Sequence, residues 1–144
     1  MNEPQTPAKP PGRRLITGAR ILLGLIFFIF GLNGFLHFVP QPKEAMPEGA
    51  AAFFGALLKT GHMIPLIFGA QTLAGGLLLV NRFVPLALAL LAPVIVNIVA
   101  LHLFLAPSGL PMAAVVLALE VYLAWAHRKA YAPMLESRAT PDAK

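Results

Sequence analysis

The sequence predicts an all-α fold, a bundle of four transmembrane helices with a short interfacial helix between the first two spans. Four apolar stretches fill well over half of the 144 residues, and each is long enough to cross a bilayer, which takes about 17–25 helical residues. Hydrophobic residues make up 58% of the chain and charged residues 12%, whereas a soluble domain carries roughly 25% charged residues. The apolar runs are continuous, which excludes the alternating pattern of membrane β-strands.

The first span begins like an export signal, because Arg13 and Arg14 precede its apolar run. That run is too long for a signal core, and no cleavage site of small residues follows Phe38, so the span is predicted to be retained. A proline stands near the start of each later span, where its missing N–H costs little. The predicted spans are Arg14–Val39, Ile64–Val80, Phe83–Leu105 and Leu110–Ala126.

The two ends of the chain differ from the apolar middle. Residues 1–12 are polar and contain four prolines, which predicts a disordered cytoplasmic tail. Residues 13–135 are predicted to form the four-helix transmembrane domain. Residues 136–144 are again polar and are predicted to be a flexible cytoplasmic tail.

The connection between the first two spans is the longest one and contains an apolar segment, Ala50–Leu58. Nine residues are too few to cross a bilayer, so this segment predicts a helix in the outer membrane interface. We interpret it as an interfacial anchor, with a cover over the mouth of the bundle as the alternative.

Small residues mark the faces through which the first two spans would meet. Gly24, Gly31 and Gly34 fall within about 60° of one another on a helix, and such a stripe lets two helices approach closely in lipid. The corresponding small residues of the second span are Gly69, Thr72 and Gly76.

The distribution of basic residues predicts the topology. The 11 Lys and Arg residues outnumber the 6 Asp and Glu, and most of the excess lies at one end of the spans. The positive-inside rule then places both termini in the cytoplasm, as in a multi-pass protein of the bacterial inner membrane. The partner that the charge indicates is the lipid bilayer and not a nucleic acid. The residues concerned are Arg13, Arg14, Arg20, Arg82, Arg128 and Lys129.

The chain has no cysteine. Structural disulfides, thiolate zinc sites, iron–sulfur clusters and covalently attached haem all require a thiol and are therefore excluded. No tightly bound cofactor is expected.

Five polar residues are predicted to form a layer near the outer ends of the helices: Asn33, His37, His62, Asn97 and His102. Polar groups in lipid tend to face the interior of a bundle, and imidazole both binds ligands and exchanges protons near neutral pH. Asn33 and His37 share a helix face, whereas Asn97 and His102 lie about 140° apart on an ideal helix. Three roles stay open, which are a site for a polar molecule such as a quinone, a metal or haem site, and polar contacts that fix helix packing. No ligand spacing such as HExxH supports the metal, and no metal ligand or catalytic residue is assigned.

A second polar group is predicted deeper in the bundle, about 9–10 Å from the cytoplasmic side. Arg20 and Glu120 lie at matching depths, so an ion pair between them is the favoured interpretation. The alternative is a protonated Glu120 that hydrogen-bonds Gln71 and acts as a proton relay.

Three stretches resemble the DoxX family of small bacterial membrane proteins: GLNGFLHFVP (residues 31–40), GGLLLVNRFVPLAL (residues 75–88) and LLAPVIVNIVALHLFLAP (residues 90–107). The cytoplasmic ending from Ala118 to Leu135 is similar in style. The resemblance implies four transmembrane helices with both termini inside. It also implies a link to redox enzymes, since the family takes its name from a subunit of a thiosulfate:quinone oxidoreductase.

Three function classes follow. The first is a redox-associated, quinone-linked membrane subunit, which would work with an oxidoreductase partner subunit. The second is a transporter for a small solute that acts as a homo-oligomer, because four short spans without an inverted repeat argue against a monomeric carrier. The third is a scaffold or assembly factor without a ligand.

Overall fold

The computed structural model describes residues 11–40 and 45–137, and these residues form helices joined by short turns. No strand occurs in the described ranges, as the all-α prediction requires. Residues 1–10 and 138–144, which make up most of the two predicted tails, lie outside the described residues. The helices are α1 (Pro11–Leu36), α2 (Glu48–Lys59), α3 (Met63–Leu79), α4 (Val84–Phe104), α5 (Leu110–Ala126) and the single turn α6 (Arg128–Tyr131). Two 3-10 turns, Pro107–Gly109 and Ala132–Leu135, precede α5 and follow α6.

The three later predicted spans agree with α3, α4 and α5 to within one residue at each end. The first span differs, because α1 begins at Pro11 and ends at Leu36, three residues before the predicted end at Val39. The early end has a local cause. His37 takes a left-handed backbone conformation with φ of 51°, and the side chain of Asn33 accepts a hydrogen bond from the backbone N–H of Val39 at 2.7 Å.

Three helical segments in the described part of the chain are long and apolar enough to cross a membrane: α1, α4 and α5 together with its preceding 3-10 turn. The shorter α3 has 17 residues and a length of about 25 Å, less than the hydrocarbon thickness of about 30 Å. It reaches the required length only together with α2, from which it is bent by 96° at a short break. By length and composition, the described residues therefore contain three candidate spans, or four when this bent pair counts as one.

The closest helix packing in the bundle is between α1 and α3, and it depends on glycine. A Cβ atom added to Gly31 would lie 2.6 Å from the backbone N of Thr72, and one added to Gly75 would collide with the backbone N of Phe28. The predicted stripe of Gly24, Gly31 and Gly34 thus faces α3. On α3 the close contact is made by Thr72 and Gly75 rather than by Gly69, beside which the space is open.

The hydrophobic core lies where α1, α3, α4 and α5 meet. Its fully buried residues have apolar side chains at helical spacing, such as Leu88, Leu91 and Ile95 on α4. Many large apolar side chains on the outer faces are exposed, as expected for helices that are solvated by lipid. The other core residues are Leu23 and Phe27 on α1, Ala74 and Leu78 on α3, Val84 and Ala87 on α4, and Val116 and Leu123 on α5.

Candidate functional site

A pocket of about 210 Å³ lies at the end of the bundle where α1 ends, between the end of α1, the short helix α2 and the first turns of α3. Two of its lining residues are polar, and they are Asn33 and His37 from the predicted layer. The other walls are glycine and apolar side chains. The lining residues are Asn33, Gly34, His37, Phe54, Leu58, Ile64 and Phe68.

Asn33 contributes a carboxamide of which only the oxygen is hydrogen-bonded within the part of the protein that the structure describes. Its Oδ1 accepts the hydrogen bond from Val39 N–H at 2.7 Å, which ends α1. Its amino group makes no hydrogen bond to another described residue. A carboxamide whose oxygen is fixed by the backbone leaves its two N–H donors for another acceptor. Asn33 therefore presents an oriented hydrogen-bond donor at the pocket.

His37 follows the last residue of α1 and is exposed. Its backbone N–H donates to the carbonyl of Asn33 at 2.9 Å, and its φ of 51° is uncommon for a residue with a side chain. Within the described part of the chain its imidazole makes no hydrogen bond. A histidine held in a strained conformation at the edge of a pocket has the features of a ligand-binding residue.

Aromatic side chains form the wall opposite these polar groups. The ring of Phe68 packs edge-to-face on Phe35, with 6.3 Å between the ring centroids. Gly34 makes room for the Phe68 ring, because a Cβ atom at this position would overlap it. Phe54 brings a second ring from α2 to the pocket. The pocket thus combines aromatic and aliphatic walls with two polar groups, as small-molecule sites commonly do.

The position of α2 helps to choose between the two interpretations of the segment Ala50–Leu58, an interfacial anchor or a cover over the mouth of the bundle. Phe54 and Leu58 of this helix line the pocket, so α2 covers the end of the bundle. This is the arrangement that the alternative interpretation, a cover over the bundle mouth, describes.

The other two histidines of the predicted layer do not line the pocket. His62 is exposed just before α3, and its Nδ1–H donates to the carbonyl of Thr60 at 2.9 Å. His102 donates from Nδ1 to the carbonyl of Ala106 at 3.0 Å, and its ring lies against Gly109. His102 thereby stabilises the turn between α4 and α5. Each of these two imidazoles has a local structural partner.

Asn97 also lies away from the pocket, exposed on the outward face of α4. His102 on the same helix is half-buried, in agreement with the angle of about 140° that separates the two positions on an ideal helix. Among the residues that the structure describes, no three His, Cys, Asp or Glu side chains come together in a way that could hold a metal ion. The predicted layer is therefore divided, and only Asn33 and His37 of its five members share a site.

Among the described residues, the hydrogen bonds of Arg20 go to backbone carbonyls and not to Glu120, with which an ion pair was predicted. Arg20 is buried, and its Nη1 donates to the carbonyl oxygens of Leu78 and of Leu79, the latter at 3.3 Å. These carbonyls belong to the last turn of α3, at the negative end of its dipole, and the carbonyl of Leu78 also accepts the backbone N–H of Asn81 at 3.2 Å. The positive charge of the buried guanidinium is therefore stabilised by backbone carbonyls at the end of a helix. The sequence prediction compared only the depths of charged side chains and did not consider backbone partners.

Glu120 is buried on the core-facing side of α5, with 6% of its surface exposed. Its Oε2 atom has no hydrogen-bond partner among the described residues. The sequence offered Gln71, a buried residue of α3, as an alternative partner. Glu120 Oε2 forms no hydrogen bond to it. Glu120 and Gln71 are thus both buried, and no hydrogen bond between them is found among the described residues.

Tyr131 joins the end of the chain to the start of α4. Its hydroxyl donates to the carbonyl of Pro85 at 2.8 Å. Burial of the phenol and, secondly, the charge of Glu120 raise the pKa of Tyr131 above its usual value of 10.0. Nearby, the guanidinium of Arg128 lies 4.8 Å from the centroid of the Trp125 ring.

The apolar walls of the pocket were not predicted from the sequence. Phe54, Ile64 and Phe68 occur in runs of similar residues, so composition does not distinguish a wall of a pocket from a lipid-facing side chain. One feature of the sequence could have indicated a wall of the pocket. Gly34 lies one turn from His37, and a glycine leaves space on a helix surface for an aromatic ring from a neighbouring helix.

Protein-family models, curated proteins and solved structures were compared with this chain, and none of them matches it.

Proposed function

We propose that this chain is a DoxX-like membrane subunit associated with a redox enzyme, and that it binds the head group of a quinone in the pocket beside Asn33 and His37. The observation that supports the proposal is the composition of this pocket: two polar side chains face aromatic and aliphatic walls at one end of a membrane bundle. A quinone head group is a flat apolar ring whose carbonyl oxygens accept hydrogen bonds. The amino group of Asn33 and an imidazole N–H of His37 are donors suited to such oxygens.

The size of the pocket fits a ring and not a whole lipid-soluble molecule. Sites for drug-sized ligands enclose about 300–1,000 Å³, and this pocket encloses about 210 Å³. A head group would occupy the pocket while its hydrocarbon tail remained among the lipid chains, against the apolar outer faces of the helices. The position near the predicted outer interface suits such an amphipathic ligand.

The residues of the chain have separate roles in this proposal. Asn33 orients one end of the ring, since its side chain is already fixed by Val39 N–H. His37 binds the other polar end through an imidazole N–H. A bound quinone supplies a two-electron, two-proton couple. The chain has no cysteine, so we assign the electron donor to a partner subunit that carries the redox cofactor.

The proposed topology has four crossings, with both termini in the cytoplasm of a bacterium. The bent pair of α2 and α3 then counts as one crossing, of which α2 forms the outer, interfacial part. The clustering of Arg13, Arg14, Arg82 and Arg128 at one side of the bundle supports this orientation.

Photo-crosslinking with an azidoquinone tests the proposal. The purified protein in detergent would be labelled, digested and mapped by mass spectrometry, and we expect the label on peptides from α1, α2 and α3 near the pocket. Label spread over the lipid-facing surface without preference for these peptides would overturn the proposal.

The most informative variant is His37→Gly. Glycine accepts the left-handed backbone conformation of this residue without strain, so the imidazole is removed while the fold is retained. We expect the dissociation constant for a short-chain quinone to rise roughly fivefold, the effect of one hydrogen bond of about 1 kcal/mol. His62→Ala is the matched control, because His62 is an exposed imidazole near the start of α3 that does not line the pocket. Equal effects of both variants would contradict the assignment.

A scaffold without a ligand is the second candidate. It is favoured by the hydrogen bonds of Asn33 and His102 to backbone groups, which show both side chains stabilising turns. A scaffold predicts that His37→Gly leaves partner association and quinone-dependent activity of the membranes unchanged, whereas His102→Ala lowers the amount of folded protein.

A further inference from the structure

The outward face of α4 carries a polar side chain where lipid would be expected. Asn97 lies three residues from the middle of Val84–Phe104, about 4.5 Å along the helix axis, so it is deep in the hydrocarbon layer. It is exposed, and none of the side-chain hydrogen bonds among the described residues involves it. A carboxamide that faces lipid chains without a partner is unfavourable, because no water is available there to replace the missing bonds.

The exposed residues around Asn97 form a regular pattern. Leu90, Asn97 and Phe104 follow one another at intervals of seven residues, and Pro93 and Ala100 lie three residues after the first two. All five are on the outward side of α4, where Ala100 is half-buried and the others are exposed. This is the a/d spacing of a helix that packs lengthwise against another helix. A single asparagine at an a position is a known determinant of register and of the number of chains in such a contact.

We propose that this face of α4, centred on Asn97, is the interface of a homodimer. Two copies in one membrane have the same orientation, so a two-fold axis along the membrane normal places their α4 helices side by side and parallel. Each Asn97 then meets its counterpart at the same depth. A carboxamide carries both a donor and an acceptor, so two of them satisfy each other across the axis.

The choice of a second copy as the occupant rests on this self-complementarity. Lipid chains provide neither donor nor acceptor for the carboxamide, whereas a copy of the same residue provides both. The proposed interface is independent of the quinone pocket, since the pocket is built from α1, α2 and α3 alone. Failure of one proposal leaves the other unaffected.

Cysteine cross-linking tests the dimer cleanly, because the chain has no native cysteine. In Ala100→Cys the new thiol stands one turn from Asn97 on the proposed interface. Oxidation of native membranes is expected to give a disulfide-linked species of twice the chain mass. Val121→Cys is the matched control, since Val121 is an outward-facing residue of α5 with 59% of its surface exposed.

The role of the carboxamide is tested in the Ala100→Cys background. We expect Asn97→Leu to weaken dimerisation by about 3- to 30-fold, the range for polar contacts between helices in lipid, and Asn97→Gln to retain most of it. Asn97→Leu should fold, because leucine on a lipid-facing surface requires no partner, and helix content measured by circular dichroism would verify this. The proposal is overturned if Ala100→Cys cross-links no better than Val121→Cys, if it cross-links to a different polypeptide, or if Asn97→Leu leaves the dimer unchanged.

Discussion

At the scale of single residues, the buried charge of Arg20 shows how a helix end serves as a counter-charge. The last carbonyl groups of α3 carry the negative end of its dipole. The guanidinium of Arg20 reaches two of them, on Leu78 and Leu79. The negative end of a helix dipole therefore compensates a buried cation.

This arrangement predicts that Arg20 and Glu120 contribute to stability independently. Arg20→Met should lower the free energy of unfolding by about 2–3 kcal/mol, because hydrogen bonds from a charged donor are lost. Glu120→Gln should change it by less than about 1 kcal/mol, since Glu120 Oε2 has no partner to lose. Thermal unfolding in detergent, followed by circular dichroism, measures both effects. In the double variant the effects should add to within about 0.5 kcal/mol, and a clearly larger coupling would restore the ion pair.

The hydroxyl of Tyr131 predicts a loss of stability at high pH. The pKa of this phenol is raised in the folded protein, so its contribution is complete below the usual value of 10.0 and is lost as the pH rises through the folded-state pKa. We expect the melting temperature of the native chain to fall as the pH rises above the usual value of 10.0. Tyr131→Phe should show a smaller fall, together with a loss of about 1 kcal/mol at pH 8 for the missing bond to Pro85.

Tyr122→Phe is the control for this pH series. Tyr122 is an exposed residue of α5 and takes part in no side-chain hydrogen bond found among the described residues. A pH response of the Tyr122→Phe variant equal to that of Tyr131→Phe would mean that the fall in stability does not come from the bond to Pro85.

The burial of three polar residues could be predicted from the sequence, but their partners could not. Polar groups within apolar spans tend to face the bundle interior, and this correctly indicated burial for Arg20, Gln71 and Glu120. The partner of a side chain depends on how each helix is rotated about its axis. It can also be a backbone group, and backbone groups are the same for every residue type and so leave no trace in the sequence. For that reason the carbonyl of Leu78 was not foreseen as a partner of Arg20, and Asn97 was placed in a layer that it does not join.

At the scale of helices, the contact between α1 and α3 shows glycine acting as a packing surface. Gly31 and Gly75 allow the two backbones to approach so closely that neither position has space for a methyl group. In lipid, where apolar side chains gain little by leaving their solvent, such close packing is a main source of helix association.

Alanine substitutions should reveal this packing. We expect Gly31→Ala and Gly75→Ala to destabilise the protein by about 1–3 kcal/mol each, because the added methyl group pushes the helices apart. Gly69→Ala is the control on the same helix as Gly75, since the space beside Gly69 is open. It should be neutral or stabilising by up to about 1 kcal/mol, in line with the helix propensity of alanine. The comparison of melting temperatures in detergent checks the prediction, which would fail if Gly69→Ala were as damaging as the other two.

The bounds of α3, α4 and α5 could be read from the sequence because apolar runs and start-of-helix prolines define them. The end of α1 could not, since it depends on a hydrogen bond between the Asn33 side chain and Val39 N–H rather than on hydropathy. The position of α2 over the bundle mouth depends equally on three-dimensional contacts, those of Phe54 and Leu58.

At the scale of the whole molecule, the number of crossings decides whether the two ends of the chain lie on one side of the membrane. An even number places them together, as proposed, whereas three crossings separate them. The bent pair of α2 and α3 is the element on which the count depends.

Cysteine accessibility distinguishes these topologies. We expect Ser108→Cys, in the turn before α5, to react with a membrane-impermeant maleimide in intact cells. Gly12→Cys and Ser137→Cys, near the two ends, should react only after the membrane is permeabilised, because four crossings and the positive-inside rule place both inside. Labelling of exactly one of the two ends in intact cells would instead indicate an odd number of crossings.

The order of the elements along the chain has a consequence for biogenesis. Every wall of the pocket comes from residues 33–68, and the glycine contact that joins α1 to α3 is complete at Gly75. Chains are assembled from the N-terminus as they are synthesised. The segment from Asn33 to Gly75 thus contains every wall of the pocket and the glycine contact between α1 and α3, and α4 and α5 are synthesised after both.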